Sequence, residues 1–294
     1  MKRILFFGLL LFGATKSYTQ EKPLAKVHYN FKHVNDTTQR DKFIKDEVVT
    51  YLGEGGSYYA SYSGTRMQED MKKQMDDPAF DGNLVILKRT SPISETYIIE
   101  SAQQKMTEIV KVATDEFVLS SVYPEQDWEI LEETKDIGGY SCQKATTDFK
   151  GRHYMVWFTT EIPLSGGPWK LHGLPGLILS AKDSKGEVEF EYAGFDKIED
   201  ETGIRIAPSE KAIASTASEV EKLQKAFRAN PSAYMSARSS ATTNVSGGIM
   251  VRSSSGNSNS SATLDTSKVK SINVKNDDSY VPSKITNNPI ELIP

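Results

Sequence analysis

The chain of 294 residues carries 35 Lys and Arg against 39 Asp and Glu, a formal net charge of −4. That balance excludes the broad basic face that nucleic-acid binding needs, and a single cysteine, Cys142, excludes an intrachain disulfide. The length suffices for one good-sized domain or two small ones, which must be held by their cores alone.

Lys2 and Arg3 precede an apolar run, Ile4 to Ala14. The run has the length of a signal-peptide core and is too short to span a bilayer, which takes roughly 20 residues. Ser17 and Thr19 are small residues suited to a cut before Gln20, so residues 1–19 are read as a cleaved export signal. Loss of Lys2, Arg3 and Lys16 with that leader takes the net charge from −4 to −7. No later apolar stretch predicts a transmembrane segment in the mature chain. Export without disulfides points to a bacterial envelope.

The mature chain opens on alternation. Val27, Tyr29 and Phe31 alternate with Lys26, His28, Asn30 and Lys32, which predicts a strand with one wet face. Residues 47–52 and 57–62 flank a Gly-rich turn and predict a hairpin. Over 65–77, Met67, Met71 and Met75 recur every fourth position, a short amphipathic helix that Pro78 stops. From 84 to about 198 come short strand candidates at 84–88, 96–100, 107–112, 116–122, 127–133, 140–149, 153–160, 177–182 and 187–195, separated by turn residues. Without intervening helices, these form an antiparallel meander. A sheet of that size must bend, so the predicted fold is mainly β, curled into an open or half barrel, with one or two short helices.

Residues 209–228 predict a second helix, capped by Ser209 and ended by Asn230-Pro231. The single domain spans 20–235 on this reading. Residues 236–266 are dominated by Ser, Thr, Asn and Gly and read as a disordered insertion. A strand near 269–274 and a docking tail over 287–292 then bring 267–294 back to the domain.

The most informative string is GPWKLHGLPGLILSAKD, residues 167–183. Pro175 pre-sets φ and Gly176 accepts positive φ, the chemistry of a type II turn. Gly173, Pro175 and Gly176 are therefore read as a structural corner leading into a buried strand. Nearby stand Arg152, Trp157, Glu161, Trp169 and His172. Arg152 is able to clamp a carboxylate or phosphate, the two Trp offer flat faces, and His172 titrates near neutral pH. These five are the candidate ligand-binding residues. The structural alternative pairs Arg152 with Glu161, buries both Trp, and has His172 cap the turn. Cys142, among polar neighbours, reads as a half-buried strand residue.

Dedicated chemistry is absent from the pattern. His28 and His33 fall on opposite faces of one strand, and no HExxH, clustered Cys/His, P-loop, dinucleotide or nucleophile-elbow motif occurs. No catalytic residue, metal site or cofactor is assigned.

The intact hexapeptide at 173–178 resembles the signature of the GLPGLI family of exported proteins. Gly139-Tyr140, Cys142, Lys144-Ala145, Gly151-Arg152, Trp157, Glu161-Ile162-Pro163, Gly167-Pro168-Trp169-Lys170 and the closing Asn288-Pro289-Ile290-Glu291-Leu292 are similar to the family's pattern in the same order. The resemblance implies a signal peptide, the periplasm or envelope of a Gram-negative bacterium, antiparallel β structure and no established activity. At the level of fold alone, the meander also resembles the half barrel of periplasmic lipoprotein carriers and sensors. The first functional expectation is a non-enzymatic binder that holds an apolar, lipid-like or amphipathic ligand in the curl of its sheet. One alternative is an accessory interaction protein for an outer-membrane receptor or transporter. Another is a hydrolase using His172 and a carboxylate.

Overall fold

A computed structural model describes residues 21–88, 92–199, 203–239, 266–276 and 281–293. The expected signal peptide and positions 240–265 of the expected insertion lie outside the described residues. The fold is mainly β, as the alternation predicted. β1 (Ala25–His33), β2 (Ile44–Leu52) and β3 (Gly56–Ser61) lead into helix α1 (Ser63–Asp76) and β4 (Asn83–Lys88). β5 (Thr96–Glu100), β6 (Lys105–Val112) and β7 (Asp115–Ser121) follow. A second run comprises β8 (Glu129–Ile137), β9 (Tyr140–Phe149), β10 (Arg152–Thr159), β11 (Leu177–Asp183) and β12 (Val188–Lys197). β13 (Ile213–Ala214), helices α2 (Ala217–Ala229) and α3 (Pro231–Ser239), and β14 (Ser271–Asn276) complete the described elements.

Twelve strands make one sheet in the order β13-β7-β6-β5-β3-β2-β1-β12-β11-β10-β9-β8. Two meanders, β1 to β7 and β8 to β12, join where β12 pairs antiparallel with β1. That order forces the curl. β7 and β8 stand ten strand spacings apart, roughly 48 Å in a flat sheet. The chain from Ser121 to Glu129 reaches at most about 29 Å. The sheet therefore bends until its two ends approach, and it stays open because β8 and β13 do not pair.

One face of nearly every strand feeds a single buried cluster. Val27, Tyr29 and Phe31 of β1 meet Leu52, Tyr59, Ile99, Tyr154, Phe158 and Phe190 there. Because both wings contribute to it, this is the concave face. On the convex side, Val49, Tyr51, Tyr58, Ile98 and Ile109 are covered by Ile206 and its neighbours. The polar face of β1 stays partly wet, with Asn30 exposed and Lys26 and Lys32 half-buried, and only His28 on it is buried, against the Tyr62 ring at 4.5 Å. His33 points the other way, beside Phe31, as the odd spacing required.

The predicted Met stripe packs as core, with Met71 and Met75 buried against Leu84. Four expectations need correction. β4 leaves the meander and pairs in parallel with β14, as a separate two-stranded sheet. Ser209 is not a helix cap; the helix starts at Thr216, whose hydroxyl accepts from Glu219 N while Glu219 returns to Thr216 N. Residues 236–239 of the expected insertion are helical, because Asn230 caps a further helix, Pro231–Ser239. Cys142, expected half-buried, is fully buried.

Candidate functional site

The string that dominated the sequence fills the fold. Between β10 and β11, residues 160–176 turn into the curl, and Ile162, Trp169, Leu171 and Leu174 join the concave cluster. Glycines make the close approach feasible. A Cβ on Gly167 would sit 2.5 Å from Leu171 O, and Gly167 O accepts from the buried Thr50 hydroxyl at 2.9 Å. Trp169 occupies φ 57°, a conformation bulky residues rarely take, and lies 3% exposed between Phe149 and Tyr154. Lys170 stands over the Tyr97 ring at 4.8 Å and bonds Glu291. The Trp169-Lys170 pair therefore ties the β9–β10 wing to β5.

The Pro-Gly corner differs from the predicted type II turn. Gly176 N donates to Leu174 O at 2.8 Å, a three-residue turn centred on Pro175. At φ 157° Gly176 does take the expected positive φ, at the edge of the region that side chains rarely adopt. It must be glycine because a Cβ there would collide with the Thr159 carbonyl oxygen. Gly173 is the residue with genuinely left-handed backbone, φ 91°, packed beside Trp128.

The linker from β7 to β8 crosses this plug. His172 O accepts from Trp128 Nε1 at 2.8 Å, His172 N donates to Gln126 Oε1 at 3.2 Å, and Tyr123 Oη meets His172 Nδ1 at 3.4 Å. Burial lowers the His172 pKa, partly offset by the Pro124 backbone. His172 does not cap the Pro-Gly turn; it is held under the crossing linker.

Arg152 likewise has no free hand for a ligand. Nε donates to Ile290 O at 2.9 Å, one terminal nitrogen to Asp183 and Glu187 at 2.8 and 3.2 Å, and the other to Asn288 Oδ1 and Pro289 O at 2.8 and 2.7 Å. All five of its N–H groups are thus used inside the protein. The expected Arg152–Glu161 pair does not form. Burial would raise the Glu187 carboxyl, but Arg40, Arg152 and Asn288 hold it below its ordinary value.

Trp157 and Glu161 remain near the surface. Trp157 lies half-buried on β10, out of phase with the buried Val156 and Phe158 but packed against the edge of the concave cluster, in register with Lys144 of β9 and Ser180 of β11. Lys135 Nζ from β8 stands 4.4 Å from its ring centroid, and Lys144 pairs with Glu133 at 2.8 Å. Two residues along, Met155 is 38% exposed. Glu161 accepts from Ser141 N at 3.0 Å beside this group. The cluster combines one flat aromatic, two ammonium groups, a hydroxyl and a carboxylate on an open sheet face. Lys135 and Lys144 were absent from the sequence-level candidates; only cross-strand register brings them to Trp157. Among the described residues, no three His, Cys, Asp or Glu side chains converge to hold a metal ion. No described helix is long and apolar enough to cross a membrane.

These features define an open, strongly curled sheet, antiparallel except where β13 joins β7 in parallel, whose concave side is plugged by its own loop. A family model described as "N-glycanase peptide, N-terminal domain" (PNGase F-II) matches residues 87–213. Among solved structures, PNGF-II in one crystal form is similar with a TM-score of 0.48 and 14% identity, covering 70% of this chain and 33% of that one. A second crystal form gives 0.48 and 15%, covering 68% and 32%. The chain spans about a third of the length of PNGF-II. No curated protein matches the sequence.

Proposed function

We propose that the protein is an exported, non-enzymatic binding protein of the GLPGLI type. Its ligand is an amphipathic ring, with a saccharide as the first class to consider, docked around Trp157 on β10. The observation that carries this reading is the row Lys144–Trp157–Ser180 with Lys135 over the indole. A pyranose has an apolar C–H face suited to the indole and a rim of hydroxyls suited to ammonium and carboxylate groups. Lys135 is exposed and leaves the ring at a cost of about 0.5–1 kcal/mol. The match of 87–213 to an N-glycanase domain model supports carbohydrate as the class, because that segment includes β10 and its neighbours. The originally expected seat, inside the curl, is occupied by Trp169, Leu171 and Leu174.

The site is tested by screening the mature protein on an oligosaccharide array and following hits by Trp fluorescence. Saturable binding that quenches or shifts the Trp signal supports it. Absence of any saccharide binding, with capture of a lipid instead, overturns it. The address is tested separately: N-terminal sequencing of protein from the envelope fraction should begin at Gln20.

A further inference from the structure

β4 and β14 form a small parallel sheet apart from the main one. Two-stranded sheets are marginal in water, and parallel strands are ordinarily covered. Here the cover is partial. Leu84 of β4, beneath α1, is 1% exposed, while its register partner Ile272 on β14 is 50% exposed and Val274 is 54% exposed. The two edges are also treated differently. On the outer edge of β4, the Gln74 side chain donates to Val85 O at 2.8 Å and accepts from Val85 N at 2.9 Å. An amide side chain thus occupies the hydrogen-bonding positions of a missing strand. On the outer edge of β14, no strand pairs among the described residues.

We propose that this edge of β14 accepts an extended acidic and apolar segment of a partner protein as a third strand. Main-chain bonds would come from the open edge and side-chain cover from residues laid over Ile272 and Val274. Charge selects the partner. Lys268, Lys270 and Lys275 lie on or beside β14, and the segment 268–276 contains no acidic residue. Lys270 already reaches Asp81 O at 2.9 Å. No described carboxylate pairs with Lys268 or Lys275. A second copy of β14 would place lysines against the same strand, and like charges across a strand pair are unfavourable. A strand alternating β-branched and acidic residues satisfies both the apolar and the ionic features.

The test uses the mature chain and a blocked peptide of about eight residues, alternating Val and Glu, with an alternating Val and Lys peptide as control. Hydrogen exchange at 271–276 is the readout. Slower exchange with the Glu peptide only, with affinity reduced about tenfold or more by high salt or by Lys268→Glu with Lys275→Glu, is the expected result. Equal effects of both peptides, or no slowing at millimolar peptide, would overturn the proposal. Slowing that depends on protein concentration without peptide would instead make a second copy the occupant, and would overturn it as well.

Discussion

Arg152 and Asn288 are 136 positions apart and meet at 2.8 Å in a buried network with Asp183 and Glu187. Asn288 also donates to Val34 O and Glu187 Oε2 at 2.7 and 3.0 Å. The tail is therefore fastened across the end of the curl by β1, β10 and the β11–β12 turn together. Removing the guanidinium would leave the Asp183 carboxylate buried without a counter-charge and Glu187 with Arg40 alone. Arg152→Met is expected to cost on the order of 3–5 kcal/mol. Asn288→Ala should cost about 1–3 kcal/mol, through the partners it leaves unpaired. Denaturant melts give both values, and similar small losses for the two variants would mean the network is not the fastening.

At the corner, Gly176→Val should destabilise by about 3 kcal/mol, because the new side chain must displace the Thr159 backbone. Pro175→Ala should cost less than about 1 kcal/mol, since Ala adopts the same backbone angles. Thermal melts separate the two, and a Gly176→Val protein melting with wild type would refute the packing described here.

This corner illustrates what the sequence carried and what it did not. Pro175-Gly176 announced a turn, but the collision that demands glycine comes from Thr159, on a different strand. The hairpin around Gly53 to Gly56 was legible because both its arms are local. So was the Met stripe of α1. The pairing of β12 with β1 and the five partners of Arg152 were not, since nothing local marks Asp183, Glu187 or Asn288 as neighbours. β4 is an unbroken apolar run, Leu84 to Leu87, and not an alternating strand, but nothing local in that run marks β14 as its partner. The helix start was legible and misread: Thr216 and Glu219 carry capping-box spacing, and Ser209 drew the boundary seven residues early. Of the candidate site, Trp157 and Glu161 were found by proximity to the string. Their ammonium neighbours required the sheet register.

Acid should weaken the fold in two stages. Burial lowers the His33 pKa from 6.5, partly offset by its bond to Asn288 O, and burial lowers His172 as well. For these groups the unfolded chain binds protons more readily, so stability falls as pH drops below about 6.5. Glu47 acts lower. Burial raises its pKa, but His28 and Arg66 overcome that and bring it from 4.5 down to about 2. Its contribution is complete above 4.5 and is lost toward 2. Urea melts across pH should show the first stage diminished in a His33→Gln, His172→Gln double variant and the second unchanged. A first stage of equal size in the double variant would contradict the assignment.

Cys142 is fully buried, and burial raises its thiol pKa, with smaller contributions from neighbouring groups. Its reaction with a thiol reagent should be slow and should follow opening of the sheet. Labelling is expected to accelerate in parallel with unfolding as denaturant is added. Rapid stoichiometric labelling of the native protein would mean that this wing of the sheet is open.

The most direct test of the account compares two tryptophans, Trp157 half-buried on β10 and Trp169 inside the curl. Saccharide binding and thermal melting are measured on Trp157→Ala and Trp169→Ala. The account predicts that Trp157→Ala loses binding and melts within a few degrees of wild type, whereas Trp169→Ala is destabilised by about 3–5 kcal/mol. Binding that survives in Trp157→Ala, or that vanishes in a Trp169→Ala protein of unchanged stability, would return the ligand to the interior and contradict the central claim.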